Sequence, residues 1–247
     1  MKHINKIILL AIVILLGACT KDKNAYTLSG KLENCNECSL YLMEMESSGV
    51  KSLDTIRTDK KGNFKVTEQL LEESIFILQG RNDYIMLCPK QDENITITAD
   101  YENLATTYTI KGSGESSKLK VLGDEQTKTR FALKMLSEQL AQANIYNMDS
   151  VRKEITNIFI NIREQQKQFI INYINSNKGS LTTLVALYRN FENRPLIDYN
   201  KDFDIYKQVL EGLQKTYPNN KNTKNLQRFI TDLEQIKQND TITNGKE

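Results

Sequence analysis

The spacing of apolar residues changes once along this chain, and that change limits the fold more than any other feature. Up to about Ile110, apolar and polar residues alternate, as they do in the run Ile95-Thr96-Ile97-Thr98. This alternation is typical of half-buried antiparallel strands. After Gly112-Ser113-Gly114, apolar residues recur three and four positions apart, which indicates amphipathic helices. The sequence therefore predicts an α+β fold, with an N-terminal antiparallel β-sandwich over residues 26–112 and an all-α helical domain over residues 113–240.

The first part contains candidate strands at intervals of about ten residues, a spacing that favours a sandwich over a barrel-like closure. They are residues 26–32, 39–44, 50–58, 63–67, 74–79, 84–88, 94–99 and 106–111. A hairpin turn is predicted over residues 59–63, where Gly62 is free to take a positive φ.

The second part contains two long candidate helices, over residues 115–143 and 151–177. Asp149-Ser150 is a candidate N-cap for the second one. Shorter helices are predicted after Ser180 and over residues 201–216 and 222–238. The apolar stripe of the second long helix fits either of two roles, the commoner one being intramolecular core and the other a surface for a partner.

Residues 1–18 have the pattern of a secretory signal. Lys2 and Lys6 precede an apolar run that is too short to span a bilayer. The ending Leu16-Gly17-Ala18-Cys19 resembles the bacterial lipobox, in which the cysteine receives acyl chains such as palmitate and becomes the new N-terminus. An ordinary secretory signal with an incidental cysteine is the alternative. We expect lipidation at Cys19, a tether over residues 19–25, a polar tail over residues 241–247, and an extracytoplasmic position on a bacterial membrane, the outer membrane being favoured.

Charge and histidine content exclude several classes of function. The chain has 33 basic and 31 acidic residues, and removal of Lys2 and Lys6 with the signal leaves 31 of each. A balanced charge gives no electrostatic basis for binding nucleic acid. The one histidine, His3, leaves with the signal. The processed chain therefore cannot form Ser-His-Asp or Cys-His catalytic groups or a histidine metal site, and we expect no cofactor and no metal.

Cys35 and Cys38 lie between two predicted strands, with no helix after them. A reactive dithiol usually has its first thiolate at a helix N-terminus. The favoured role is therefore a disulfide or a reduced thiol pair that closes the first hairpin. Redox exchange and shared metal binding are the alternatives. Cys88 could supply only one further ligand, and we expect it to be a buried apolar residue.

Three other motifs are weaker indications of a functional site. Asp198, Asn200, Asp202 and Asp204 alternate like the start of a calcium loop, but glycine and glutamate are missing from its defining positions, which favours an acidic helix N-terminus. Residues 112–115 lack the ending of a phosphate loop and are expected to be a flexible joint. The carboxylate pairs at residues 44/46 and 72/73 are expected on solvated faces.

The first part resembles the domain of unknown function 4369, which is found in lipoproteins of the Bacteroidetes. The resemblance covers residues 26 to about 140, with one departure at residues 89–91, where the family usually has Pro-Gly. The segments that carry it are residues 28–32, 39–42, 53–55, 59–64, 95–98 and 110–113.

In that family the domain often precedes helices and a thioredoxin-like thiol-disulfide oxidoreductase domain. The resemblance therefore implies the front portion of such a protein without its catalytic domain, whose Trp-Cys-x-x-Cys motif this tryptophan-free chain cannot supply. No functional residue is carried over. Thr55, Ser150 and Thr241 each follow an aspartate and precede an apolar residue, and these segments resemble the O-glycosylation sequon of envelope proteins in the Bacteroides group.

These observations predict a non-enzymatic cell-envelope lipoprotein that binds an envelope protein or a glycan, with no nucleic-acid partner. The alternative is an accessory of envelope thiol-disulfide exchange that acts through Cys35 and Cys38. A general scaffold or stress-related surface protein is a third hypothesis, which no motif tests.

Overall fold

The computed structural model describes residues 24–47 and 49–244, and side chains are described as far as residue 237. Its first part is a β-sandwich of two four-stranded sheets, as predicted. The strands are β1 (Ala25–Glu33), β2 (Ser39–Glu46), β3 (Gly49–Arg57), β4 (Asn63–Gln69), β5 (Phe76–Gln79), β6 (Tyr84–Leu87), β7 (Asn94–Asp100) and β8 (Thr109–Lys111).

Neighbouring strands in the sequence are often in different sheets. The first sheet has the order β4-β1-β7-β8 and the second has the order β3-β2-β5-β6. The segments 34–38 and 58–62 therefore cross between the sheets rather than closing hairpins. They also lie side by side, because the Thr58 amide donates to the Cys38 carbonyl at 3.0 Å.

One strand pair departs from the predicted antiparallel arrangement. β1 and β7 run parallel, from Thr27 opposite Asn94 to Glu33 opposite Asp100, whereas the other ladders of the two sheets are antiparallel. Alternation shows which face of a strand is buried, and it says nothing about direction. A parallel neighbour needs a long connection, and residues 34–93 supply one.

The alternation does select the core. In β7, Ile95, Ile97 and Ala99 are buried, whereas the residues between them are exposed. They meet Leu28 and Leu42 between the sheets, and these leucines have no exposed surface. Each such side chain contributes about 1.5–3 kcal/mol through removal of apolar surface from water.

Two local features of the sandwich differ from prediction. The turn at residues 59–63 forms with Gly62 at φ +78°, where a Cβ would collide with the Leu32 carbonyl, but it joins strands of different sheets. The last strand is shorter than expected, because residues 104–107 form a short helix, α1 (Leu104–Thr107). There the Thr107 hydroxyl donates to the Asn103 carbonyl at 2.7 Å, which favours a turn over an extended chain.

The second part is helical, as predicted. It contains α2 (Gly114–Ala141), α3 (Met148–Ser176), α4 (Thr182–Leu187), the two-stranded hairpin β9 (Asn190–Phe191) and β10 (Arg194–Pro195), α5 (Phe203–Thr216) and α6 (Lys221–Asn244). The predicted cap at Asp149-Ser150 is wrong: α3 begins at Met148, and the Ser150 hydroxyl lies inside its first turn and donates to the Asn147 carbonyl.

The helices have their own core, which also contacts the sandwich. The stripe of α3 enters this core in its second half, where Ile170 and Ile174 are buried, whereas Phe159 in its first half is only partly buried. Ile75 and Cys88, which flank the strands of the second sheet, belong to the same cluster. Helix α2 contacts β6, so the helices cover part of the outer face of that sheet.

Candidate functional site

The predicted lipidation residue, Cys19, lies outside the described residues, and so does the whole signal over residues 1–18. Both stay predictions. None of the described helices is both long and apolar enough to cross a bilayer.

Cys35 and Cys38 form a disulfide within the crossing segment between β1 and β2, and their Cα atoms are 5.7 Å apart. The hydroxyl of Thr58, a buried residue, accepts a hydrogen bond from the Cys38 amide at 2.9 Å and lies 3.2 Å from the Cys35 sulfur. Cys35 itself is only 9% exposed. The disulfide thus closes a short loop within the first crossing segment, and Thr58 of the second crossing segment contacts it through hydrogen bonds, which is a structural arrangement rather than that of an exposed thiol.

Cys88 lies buried beneath the helices. Burial raises the pKa of its thiol, and the nearby carboxylate of Glu115 raises it further. A thiol that stays protonated is a poor nucleophile and a poor metal ligand. Cys88 therefore acts as a small apolar core residue.

The acidic segment before α5 does not form a calcium loop. Both carboxylate oxygens of Asp202 accept hydrogen bonds from the Lys167 ammonium at 2.8 Å, and one also accepts from the Asp198 amide at 2.9 Å. Among the described residues, no cluster of potential ligands could hold a metal ion.

Residues 112–115 form a tightly built connection and not the predicted flexible joint. Gly112 has φ +86°, and a Cβ there would collide with the Asn94 carbonyl. Ser113, which is buried, caps α2 by accepting from the Ser116 amide at 3.2 Å. This geometry fixes where α2 leaves the sheet.

Just after this cap, Glu115 is part of a buried polar cluster. It accepts hydrogen bonds from the Ser180 hydroxyl and, at 2.7 Å, from Lys118. The Ser180 Oγ lies 2.7 Å from the Thr182 Oγ1. The same Thr182 oxygen accepts a hydrogen bond from the Tyr173 hydroxyl at 2.7 Å. Burial acts to raise the pKa of Glu115, but the hydrogen bonds from Lys118 and Ser180 outweigh it and hold the pKa below its usual value. The cluster orders the helical core.

The candidate glycosylation residues are not brought together. Thr55 is exposed on β3, and Ser150 is exposed at the start of α3. The side chain of Thr241 lies outside the described part. The modification itself stays a prediction at all three positions.

A cleft of about 750 Å³ lies between the second sheet and the helices. Its sheet side includes Met45, Ile75 and Met86. The helical side includes residues of α2, α4 and α6, among them Leu133, Val185, Leu226 and Phe229. Most of the wall is thus apolar.

One buried charge faces this apolar wall. Arg189 follows α4, lines the cleft and is 8% exposed. Its Nη1 donates to the Leu122 carbonyl at 2.8 Å and its Nη2 donates to Gln126 at 3.4 Å. Burial lowers the pKa of Arg189 below its usual value, which reflects the loss of water around the guanidinium.

The acidic pairs at residues 44/46 and 72/73 contact the start of α6. Lys221, at the start of α6, donates to Glu44 and lies 3.8 Å from Glu46, while its amide donates to Glu72 at 2.9 Å. The Asn220 amide group donates to the Glu73 carbonyl at 2.7 Å. These residues therefore lie at the contact between sandwich and helices. The expectation of solvated faces is wrong for Glu44, Glu72 and Glu73, which are partly buried, whereas Glu46 is exposed.

A comparison with known families matches residues 26–119 to the domain of unknown function DUF4369. Residues 26–119 are a DUF4369 domain. The DUF4369 domain comprises the sandwich and the first residues of α2, so the cleft has one wall inside the domain and one outside it.

Two further comparisons add no functional assignment. The search of curated proteins found no match. Among solved structures, a 9R-lipoxygenase from Cyanothece PCC8801 is similar at 12% identity with a TM-score of 0.20. The match covers 66% of this chain, which spans only 32% of that structure's length. A TM-score this low carries no argument.

Sequence reasoning missed both the cleft and Arg189. Arg189 is one of many basic residues of the chain and belongs to none of the motifs described above. The available signal was its position, since it directly follows the apolar run Leu184-Val185-Ala186-Leu187-Tyr188, where an exposed side chain was not to be expected.

Proposed function

We propose that this protein is a lipid-anchored binding module of the cell envelope, and that the cleft between the DUF4369 domain and the helices is its binding site. The observation that carries the proposal is the cleft itself. Its volume of about 750 Å³ lies in the usual range of small-molecule sites, about 300–1,000 Å³.

The lining favours an apolar small molecule over a glycan or a protein. Glycan sites are lined mainly by polar partners, whereas most of the surface of this wall is apolar, as at Leu226 and Phe229, although polar side chains such as Asn190 and Asn225 also line it. The residues that line the cleft include no cysteine and no histidine. That composition fits binding better than acid–base or thiol chemistry.

The test uses a fluorescent neutral probe, N-phenyl-1-naphthylamine, whose emission rises in apolar surroundings. Val185→Trp fills the cleft from the α4 side, and Val121→Trp adds the same side chain at an exposed site on α2 outside the lining. We expect saturable binding to the wild type and to Val121→Trp, and a loss of at least tenfold in affinity for Val185→Trp. Equal binding by all three proteins would rule out this cleft as the site.

Anchoring has a separate test, because it depends on residues outside the described part. Metabolic labelling with radioactive palmitate in the native host should label the wild type and leave Cys19→Ala unlabelled. A labelled Cys19→Ala protein would contradict lipidation at Cys19.

Thiol-disulfide exchange at Cys35 and Cys38 is the alternative function. The disulfide lies near the surface, since Cys38 is only partly buried, but the burial of Cys35 and its contact with Thr58 favour a structural role. An insulin-reduction assay discriminates between thiol-disulfide exchange and a structural role of the disulfide. Activity that is present in the wild type and lost in Cys35→Ser would favour exchange.

A further inference from the structure

We propose that the cleft takes a single-chain amphiphile with one carboxylate, of the fatty-acid class, whose head group pairs with Arg189 and whose chain lies along the apolar wall. This inference rests on the proposed function of the cleft, and it adds the chemistry of the ligand.

The first step is the set of free donors on Arg189. A guanidinium has five N–H groups in a planar fork. The contacts with Leu122 and Gln126 use one donor each, at 2.8 and 3.4 Å. The remaining N–H groups have no partner among the described residues, although the side chain is buried at the cleft.

The second step is the missing counter-charge. Within the described part of the chain, no carboxylate lies within ion-pair distance, 4.0 Å, of Arg189. Glu125 is the one carboxylate among the groups that act on the pKa of Arg189, after burial, Tyr173 and Tyr84. Its oxygens already accept from Gln166 at 2.9 Å and from Lys128 at 3.2 Å. A buried charge without a counter-ion is costly, and a bound anion would remove that cost.

The third step is the match of charge and shape. The other charged residues of the lining, Glu46, Arg130 and Glu192, are exposed, and Glu46 already lies near Lys221. The buried part of the cleft therefore presents one positive charge, which a single carboxylate neutralises in a bidentate pair. The wall around Arg189 also carries uncharged polar side chains, among them Asn190, Asn222 and Asn225, but most of its surface is apolar and matches an alkyl chain.

The experiment measures displacement of N-phenyl-1-naphthylamine by three twelve-carbon ligands below their micellar concentrations. These are dodecanoate, dodecan-1-ol and dodecyltrimethylammonium, which share the chain and differ in the head group. For the wild type we expect dodecanoate to bind at least tenfold more tightly than the alcohol, and the cation to bind more weakly than both.

Two variants locate the head-group site. Arg189→Met keeps the length and apolar stem of the side chain, and it should bind dodecanoate and dodecan-1-ol equally. Arg152→Met removes the same charge from an exposed position on α3 outside the lining, and it should keep the wild-type preference. Circular dichroism checks that both variants fold.

The outcomes separate the inference from the proposed function. Wild-type protein that binds the alcohol as tightly as the carboxylate would overturn the inference and leave the cleft as an apolar binding site. A preference for the carboxylate that survives in Arg189→Met would also overturn it. If Arg189→Met fails to fold, the comparison of the three head groups on the wild type decides alone. Absence of probe binding to the wild type would count against the proposed function itself.

Discussion

The two halves of the molecule have different kinds of interior. Between the sheets of the sandwich the buried residues are nearly all apolar, with Thr58 at the edge as the main exception. The helical half buries Glu115, Ser180, Thr182 and Arg189 among its apolar residues. An apolar core needs only volume and patterning, whereas each buried polar group needs a partner in a defined place.

This contrast indicates a division of roles. Under the proposed function, the DUF4369 domain supplies one wall of the binding site, and the helices supply the polar group, Arg189, that selects the ligand. Arg189 belongs to the helical half and lies outside the matched residues 26–119. The binding preference of this protein is therefore not expected to be a general property of the domain.

The largest expected effect tests whether the two interiors unfold together. Leu42→Ala removes a fully buried side chain from the sandwich and should lower the free energy of unfolding by about 2–5 kcal/mol. Because Ile75 and Cys88 belong to the helical core, the helical signal should be lost in the same urea transition. Leu71→Ala, at a side chain that is 89% exposed, is the control and should change stability by less than about 0.5 kcal/mol. Two separate transitions, one for the helices and one for the sandwich, would contradict the prediction that the two cores unfold together.

The next effect concerns the disulfide of the sandwich. Replacing both Cys35 and Cys38 by serine should lower the free energy of unfolding by about 2 kcal/mol, because the short loop gains freedom in the unfolded chain. Addition of reductant to the wild type should reproduce the effect, and no change in the urea midpoint would contradict it.

A smaller effect is expected in the polar cluster of the helices. Glu115→Gln keeps the shape of the side chain but removes the charge, and should cost about 1–2 kcal/mol at pH 7. The pKa of Glu115 is lower in the folded protein than its usual value, so the carboxylate stabilises the fold above the ordinary glutamate pKa. The contribution of the Glu115 carboxylate to stability is lost as the pH falls through its pKa in the folded protein. The difference in melting temperature between wild type and variant should therefore shrink between pH 7 and pH 3, and a constant difference would contradict it.

The smallest effect tests the contact between the halves. Lys221→Met removes the ammonium that pairs with Glu44 and Glu46, and should cost about 1 kcal/mol or less because Lys221 is partly exposed. Lys207→Met breaks the exposed pair with Glu234 within the helices and serves as the control. We expect the Lys221 variant to weaken binding of the apolar probe as well, which the control should not do.

Much of the local structure could be predicted from the sequence. Alternation located most of the strands because one face of them is buried, as at Ile95 and Ile97 in β7, and the change of period located the helices. Partners could not be predicted in the same way. Which strand lies beside β1 depends on the whole chain, and no local pattern shows that β7 lies there in parallel.

The candidate site was less predictable than the fold. Motif reasoning examined acids, cysteines and glycines, which are the residues of known signatures. The cleft instead combines Met45, Val185 and Leu226, residues far apart in the chain that look like ordinary core positions. Arg189 stands out only because the surrounding helices exclude water from it.

The parallel pairing of β1 and β7 also bears on how the chain is made. The first strand gains its second neighbour only when residues 94–100 have been synthesised. Until then, a nascent chain holds β1 with one edge open, and open edges invite pairing with other chains. A fragment that ends before Asn94 should therefore aggregate, however intact its earlier strands are.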